Sequence, residues 1–216
     1  MAINLSKASK MPAKSWSLEA GATCPGSIDP ATKLPVPVCA GCYAKEGFYH
    51  MPDAKRVRDE NREDWKRAEW ADDMVKALKR QTYFRWFDSG DVYHPGLAAK
   101  ILEVMSRTPH VKHWLPTKSY KIPRIRVFLE MMKALPNVSV RYSSDSMVGE
   151  FGQEHGSTVV AYADDATQAD KVCDAYTRKG KCGDCRACWD KNVSVVAYPS
   201  HGARMRKMVK QLKNAA

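Results

Sequence analysis

The sequence predicts an α/β protein, a parallel sheet covered by helices and curved into an open or partial barrel of about six strands. Two observations lead there. From residue 83 onward, short runs rich in Val, Thr and aromatic residues alternate with longer runs of helical periodicity, the pattern of a parallel sheet with crossover helices. Each strand candidate also runs directly into a polar turn. About six strands fall short of the eight that close a full barrel, so the expected form is an open, partial TIM-like barrel. The 216 residues fit a single domain spanning 1–216, against a norm of about 150 residues per domain.

The elements follow in order. Residues 1–50 are rich in Pro and Gly and read as an irregular, cysteine-bearing segment with one strand candidate at Ser15–Ala20. A helix starts at Pro52, capped by Asp53, and Val57, Ala68, Met74, Val75 and Leu78 carry it to about Arg80. Tyr83–Phe87 reads as a strand and Gly96–Arg107 as a helix with Leu97, Ile101, Val104 and Met105 on one face. Lys112–Leu115 is the next strand and Arg124–Leu135 the next helix, with Ile125, Phe128, Leu129 and Met132 turned inward. Val138–Tyr142, Thr158–Tyr162 and Val193–Tyr198 complete the strands, with a cysteine-rich insertion at 170–190 between the last two. A basic helix at Ala203–Asn214 closes the chain.

The turns after the strands are Asp88-Ser89-Gly90-Asp91, Pro116-Thr117-Lys118-Ser119, Ser143-Ser144-Asp145-Ser146, Asp164-Asp165 and Pro199-Ser200-His201-Gly202. Ligands of parallel α/β sheets bind at the carboxyl ends of the strands, so these turns describe one site rim; turns are also polar for conformational reasons of their own. Within them, Lys118 is placed to meet a carboxylate or phosphate, and His201 to act as a ligand or general acid, its ordinary pKa of about 6.5 suiting proton transfer. Asp91 reads as a ligand contact or as a cap for the following helix, with Asp88 two residues before it. Arg85, Trp86 and most tryptophans read as core, while Trp65 and Trp70, in a charged helix, are candidates for base stacking. No phosphate-cradling Gly-rich loop, dinucleotide fingerprint or Ser-His-Asp signature is present.

The formal net charge is +11. It concentrates in two acid-free segments, 104–129 (Arg107, Lys112, Lys118, Lys121, Arg124, Arg126) and 191–216 (Lys191, Arg204, Arg206, Lys207, Lys210, Lys213). Such segments attract nucleic acid or a smaller anionic ligand, and serve equally as solvated helix faces. Apolar runs such as Val195–Tyr198 are far shorter than the roughly 20 residues of a membrane span. Met1–Lys14 has no apolar stretch of the kind a secretory signal carries. The expectation is a cytoplasmic protein without a membrane partner; the oligomeric state is not readable.

Seven cysteines are the strongest chemical signal. Their number is odd, and an intracellular thiol cluster reads as metal-binding or catalytic. One group is Cys24 with Cys39-Ala40-Gly41-Cys42; the other is Cys173 with Cys182, Cys185 and Cys188. Two intervening residues let a turn present both sulfurs to one metal centre, and thiolates select zinc, copper(I) or iron–sulfur clusters. The overlapping C-x2-C-x2-C run at 182–188 is a ferredoxin habit that suits a [4Fe-4S] cluster, with Cys173 completing four ligands. The first group supplies three thiolates, which on a [4Fe-4S] cube leave one iron open for a substrate or cofactor. Alternatives are His50 or Asp29 as a fourth ligand, a single zinc, unligated thiols, or one four-cysteine cluster shared by both groups.

Cys24-Pro25, Cys39-Ala40-Gly41-Cys42-Tyr43-Ala44, Asp88-Ser89-Gly90-Asp91 and the cysteine-rich stretch Cys182–Trp189 stand in an order that resembles a phage protein family named for gene product 88. For a phage-encoded chain the expected location is the host cytoplasm. More distantly, the plan is similar to radical S-adenosylmethionine (SAM) enzymes, in which three cysteines after the first strand hold a [4Fe-4S] cluster and a turn after the second holds the methionine amine. By position that resemblance gives Ser89 and Asp91 the amine, and Lys118 or Ser144 the carboxylate. Three departures stand out: 14 residues separate Cys24 from Cys39, Gly41 replaces an aromatic residue before the last cysteine, and Asp91 replaces Glu. Two functions follow: an iron–sulfur protein with redox or radical chemistry at the three-cysteine site, or a non-enzymatic module, stabilised by iron–sulfur or zinc, that binds nucleic acid or serves as an accessory protein.

Overall fold

The structure, a computed structural model, describes residues 3–215, and the side chains of these except Ala203 and 212–215. Met1, Ala2, Ala216 and the Lys213 side chain, which belong to the predicted terminal segments, lie outside the described residues.

The architecture is mixed α/β. Strands β1 (Ser6–Lys7), β2 (Lys14–Trp16), β3 (Tyr83–Trp86), β4 (Lys112–Thr117) and β5 (Val138–Tyr142) form one sheet in that order. Only the β1–β2 pair is antiparallel. Strands β6 (Ser157–Val160), β7 (Lys171–Val172) and β8 (Val196–Pro199) form a second, parallel sheet in the order β6-β8-β7. A parallel bridge between Ser143 and Ser157 joins the two edge to edge, backed by Ser144 N–H to Ser157 C=O at 2.9 Å and Gly156 N–H to Tyr142 C=O at 2.8 Å. The sheet stays open, and among the described residues eight strands in two sheets replace the predicted six in one. The candidate at Ser15–Ala20 appears as β2, shortened and shifted to Lys14–Trp16, while β1 and β7, of two residues each, are too short for a period-two pattern to register.

Helices are α1 (Pro37–Ala40), α2 (Pro52–Asp64), α3 (Trp70–Leu78), α4 (Pro95–Arg107), α5 (Pro123–Ala134) and α6 (Ala203–Ala215). The single helix expected from Pro52 to Arg80 is broken at 65–69. Arg67 is clasped there by Asp64 at 2.5 Å and Asp73 at 3.1 Å, and Lys100 Nζ donates to the carbonyls of Trp65 and Arg67 within the break. Trp65 and Trp70, candidates for base stacking, are buried instead. Trp70 meets Trp16 edge-on at 5.3 Å in the core. No helix among the described residues is long and apolar enough to cross a membrane.

Strand alternation divides the sheet. Phe84, Trp86, Leu115, Val138, Val140 and Tyr142 face α3, α4 and α5, where Met74, Leu97, Ile101, Met105, Leu129 and Met132 complete the main core. Tyr83, Arg85, Trp114, Ser139 and Arg141 occupy the alternate positions and face the other way. Against that second face lies no helix layer but the irregular cysteine-bearing chain, with Met11, Ala13, Trp114 and Trp189 as a smaller core.

Candidate metal and ligand site

The two cysteine segments reach the second face of the sheet by different means. In the N-terminal one, Cys24 opens a 3-10 turn, Cys39 sits in α1, and Cys42 opens the next 3-10 turn. This segment lies flush on the β4 end: a Cβ on Gly26 would stand 2.1 Å from the Lys118 carbonyl oxygen. Lys121 Nζ donates to Gly26 C=O at 3.2 Å, Val38 N–H to Asp145 C=O at 3.1 Å, and the Tyr43 hydroxyl to Asp88 C=O at 3.0 Å. From the far side, Met205 and Met208 of α6 cover Gly41, where a Cβ would meet them at 3.0–3.2 Å.

The C-terminal segment leaves β7, returns under the sheet, and is organised by one side chain. Arg141 of β5, buried, donates to the carbonyls of Ala187 (2.7 Å), Asp190 (2.8 Å), Val193 (2.9 Å), Cys188 (3.1 Å), Gly156 (3.1 Å) and Ser194 (3.2 Å). Trp189 Nε1 donates to Phe84 C=O at 2.9 Å, and Cys182 N–H to Lys10 C=O at 2.9 Å. Cys188 Sγ lies 3.2 Å from the Tyr198 hydroxyl.

Between the segments and the strand ends lies a chamber of about 300 Å³. Five of the seven cysteines line it: Cys39, Cys42, Cys173, Cys182 and Cys188. So do Lys10, Arg85 and Lys118, with no Asp or Glu among the described residues of its wall. Cys24 and Cys185 stand behind the wall, each beside its own group. The neighbouring thiols Cys39 and Cys42 act on Cys24, and Cys185 N–H donates to Cys182 C=O at 3.1 Å. Burial is the main force on these thiols. It pushes Cys24 up to about 12, with Asp91 adding to it, Cys39 to about 11 against the pull of Lys118, and Cys188 to about 11 against its Tyr198 hydrogen bond. Among the described residues no three His, Cys, Asp or Glu side chains converge to hold a single metal ion.

The remaining candidates fall in distinct places. Lys118 and Ser144 line the chamber. Lys118 Nζ donates to Ser143 C=O at 3.0 Å, to Ser144 C=O and to Asp145 at 3.2 Å, and burial draws its pKa down. Ser144 pairs with the Thr158 hydroxyl at 3.0 Å. Ser89 and Asp91 are buried outside the wall. Ser89 donates to Leu18 C=O at 2.7 Å, and Asp91 accepts from the Thr117 hydroxyl (2.7 Å), Lys118 N–H (2.8 Å) and Val92 N–H (2.7 Å), tying the β3 and β4 turns together. Asp29 caps its own turn through Ala31 N–H at 2.7 Å, and His50 turns back on Lys45 C=O, both outside the wall. His201 lines the chamber, edge-on to Tyr43 at 5.6 Å. Arg85, expected in the core, instead faces the chamber, paired with Asp88 at 3.1 Å.

Arg141, Lys10, Trp114 and Tyr198 were not foreseen. A charge inside Val138-Ser139-Val140-Arg141-Tyr142, otherwise a buried strand, was the one legible signal for Arg141.

Residues 2–191 match the family model described as gene product 88, and the chain belongs to that family. No curated protein and no solved structure matches it.

Proposed function

We propose that the protein is an iron–sulfur protein, with a three-cysteine site at Cys24, Cys39 and Cys42 and a four-cysteine site at Cys173, Cys182, Cys185 and Cys188. The observation that carries this reading is the chamber wall, where thiols from both groups meet three cations and no carboxylate among the described residues. Thiols pushed to about 11 or 12 are protonated and inert at neutral pH. A metal centre deprotonates them outright. The resulting anionic cluster would meet Lys118 beside Cys39, and Arg141 and Arg85 beside Cys188. The overlapping 182–188 spacing and a chamber much larger than a single ion favour a cluster over zinc.

The open strand-end geometry suits a partial TIM-like barrel, with the three-cysteine site at its mouth. A [4Fe-4S] cluster held by three thiolates supplies an open iron for redox or radical chemistry, and SAM is a candidate ligand. Lys118 and Ser144 are the chain's own groups at that mouth. Asp91 supports it by holding the β3 and β4 turns together, and Ser89 by tying the β3 turn to Leu18 after β2.

A second reading, polyanion binding by a metal-stabilised module, is favoured chiefly by α6, with Lys112 and Arg124 of segment 104–129 also exposed and without an acidic partner among the described residues. Arg206, Lys207 and Lys210 are exposed on α6 without an acidic partner among the described residues. In segment 104–129, Arg107 pairs with Asp72 and Glu103, Arg126 with Glu130 and Glu154, and Lys118 and Lys121 with Asp145. A steep fall of duplex DNA affinity with salt, lost when the α6 cations become Gln, would support this second reading.

Paired serine substitutions test the first reading. Cys39→Ser with Cys42→Ser is expected to remove the iron of one group, and Cys182→Ser with Cys185→Ser that of the other. Loss of all iron from either pair would mean one shared cluster, and unchanged iron in both would overturn the ligand assignment.

A further inference from the structure

We propose that Tyr198 sets the reduction potential of a cluster held by Cys173, Cys182, Cys185 and Cys188, by donating its hydroxyl hydrogen to the Cys188 sulfur. The inference rests on the iron–sulfur reading above and gives that centre a role: it takes up and releases an electron, rather than serving only to fasten the chain. The Tyr198 hydroxyl lies 3.2 Å from Cys188 Sγ. A thiolate bound to iron has no hydrogen to give, so in the loaded protein the tyrosine is the donor. Packing fixes the ring. Tyr198 belongs to β8, stacks on Trp114 with centroids 6.5 Å apart, and lies with Cys182 and Cys188 against the small core of Trp114 and Trp189.

The chain around these sulfurs carries the matching charge. Arg178 donates to Cys182 C=O at 3.0 Å, Arg186 to Cys185 C=O at 2.9 Å and Arg141 to Cys188 C=O at 3.1 Å, so each cysteine of the C-x2-C-x2-C run has an arginine on its carbonyl. Arg141 and Arg186 have no acidic partner among the described residues, whereas Arg178 is paired with Asp174 and contributes less. Asp184, inside the run, is exposed to water, which screens it. The N-terminal group has no such frame: the carbonyls of Cys24, Cys39 and Cys42 accept from the backbone N–H groups of Ser27, Cys42 and Lys45. One-electron reduction adds a single negative charge to the cluster, with no bond made or broken and no proton moved; an external one-electron carrier of low potential supplies the electron. A hydrogen bond to a ligating sulfur and cations close by stabilise that added charge, which raises the potential.

The test is an anaerobic redox titration with dithionite, read by visible absorbance and by the electron-spin resonance of the reduced cluster. The protein carries Cys39→Ser with Cys42→Ser, so that only the C-terminal centre contributes. Tyr198→Phe keeps the ring and its stacking and removes the donor. It is expected to leave the iron and sulfide content unchanged and to lower the potential, shifting the reduced-to-oxidised ratio by about tenfold, or about 59 mV for one electron. Arg186→Gln, at a partly exposed residue, should shift the potential the same way, and it decides if Tyr198→Phe does not fold. Tyr176→Phe, exposed in the same segment, should leave the potential where it was. A centre that dithionite does not reduce, a potential unchanged or raised in Tyr198→Phe, or an equal shift in Tyr176→Phe would overturn the proposal and leave the cluster reading intact. Loss of all iron in the doubly substituted background would overturn it as well, since Cys188 would then belong to a shared cluster. Unsubstituted protein without iron and sulfide would overturn both readings.

Discussion

Arg141 places a full positive charge on the inner face of β5, with six carbonyls around it. Carbonyl dipoles compensate the charge, and the charge in turn fixes the path of 187–194. Arg141→Met is expected to leave those acceptors unmet and cost about 3 kcal/mol or more by chemical denaturation. Arg141→Lys should restore only part, because an ammonium cannot fork to so many acceptors. Gly26 is decided by space: a methyl group there would overlap the Lys118 carbonyl at 2.1 Å. Gly26→Ala should cost about 2 kcal/mol or more and lower the iron bound by the N-terminal group alone. His113 is fully buried on the helix side of β4, bonded by Trp86 Nε1 at 3.2 Å, and burial holds its pKa at about 3. The native imidazole stays neutral while the unfolded one takes a proton below about 6.5. Stability should therefore be unaffected above pH 6.5 and fall by about 1.4 kcal/mol per pH unit between about 6.5 and 3. Denaturation curves of His113→Gln should lose that slope; an unchanged slope would contradict the assignment.

At the scale of elements, α6 acts as a cover for the N-terminal cysteine loop. Met205 and Val209 pack with Met147 and Ala161, and Met205 lies on Gly41. Met205→Ala should cost about 2 kcal/mol and speed alkylation of Cys39 and Cys42 in metal-depleted protein, leaving Cys185 unchanged; mass-spectrometric labelling reads both. The helices α4 and α5 and the strands β3 to β5 were legible because each repeats its period over enough residues to register. The two-residue strand β7 was read as part of the 170–190 insertion, and the break between α2 and α3 was read through, since Lys100, which stabilises it, lies far along the chain. Of the chamber wall, Cys39, Cys42, Cys173, Cys182, Cys188, Lys118, Ser144 and His201 were readable from spacing and turn position. That both cysteine groups open on one chamber was not, because Arg141, Trp189 and Gly26 set it through contacts distant in sequence.

For the molecule as a whole, one face of an open, mostly parallel sheet is an ordinary helix-covered core, and the other is closed by cysteine-bearing chain with little regular structure. Such a layer has few apolar contacts of its own, so a bound metal centre should carry part of its stability. Chelation is then expected to loosen residues 20–50 and 170–195 while the core of α3, α4 and α5 stays protected in amide hydrogen exchange; uniform loosening would contradict that division. Whether the cysteines hold iron and sulfide is read first from the iron, acid-labile sulfide and zinc content of anaerobically purified protein, with its visible absorption. Iron and sulfide in matching amounts with a broad brown absorbance are expected. Zinc without sulfide, or no metal at all, would rule the iron–sulfur reading out.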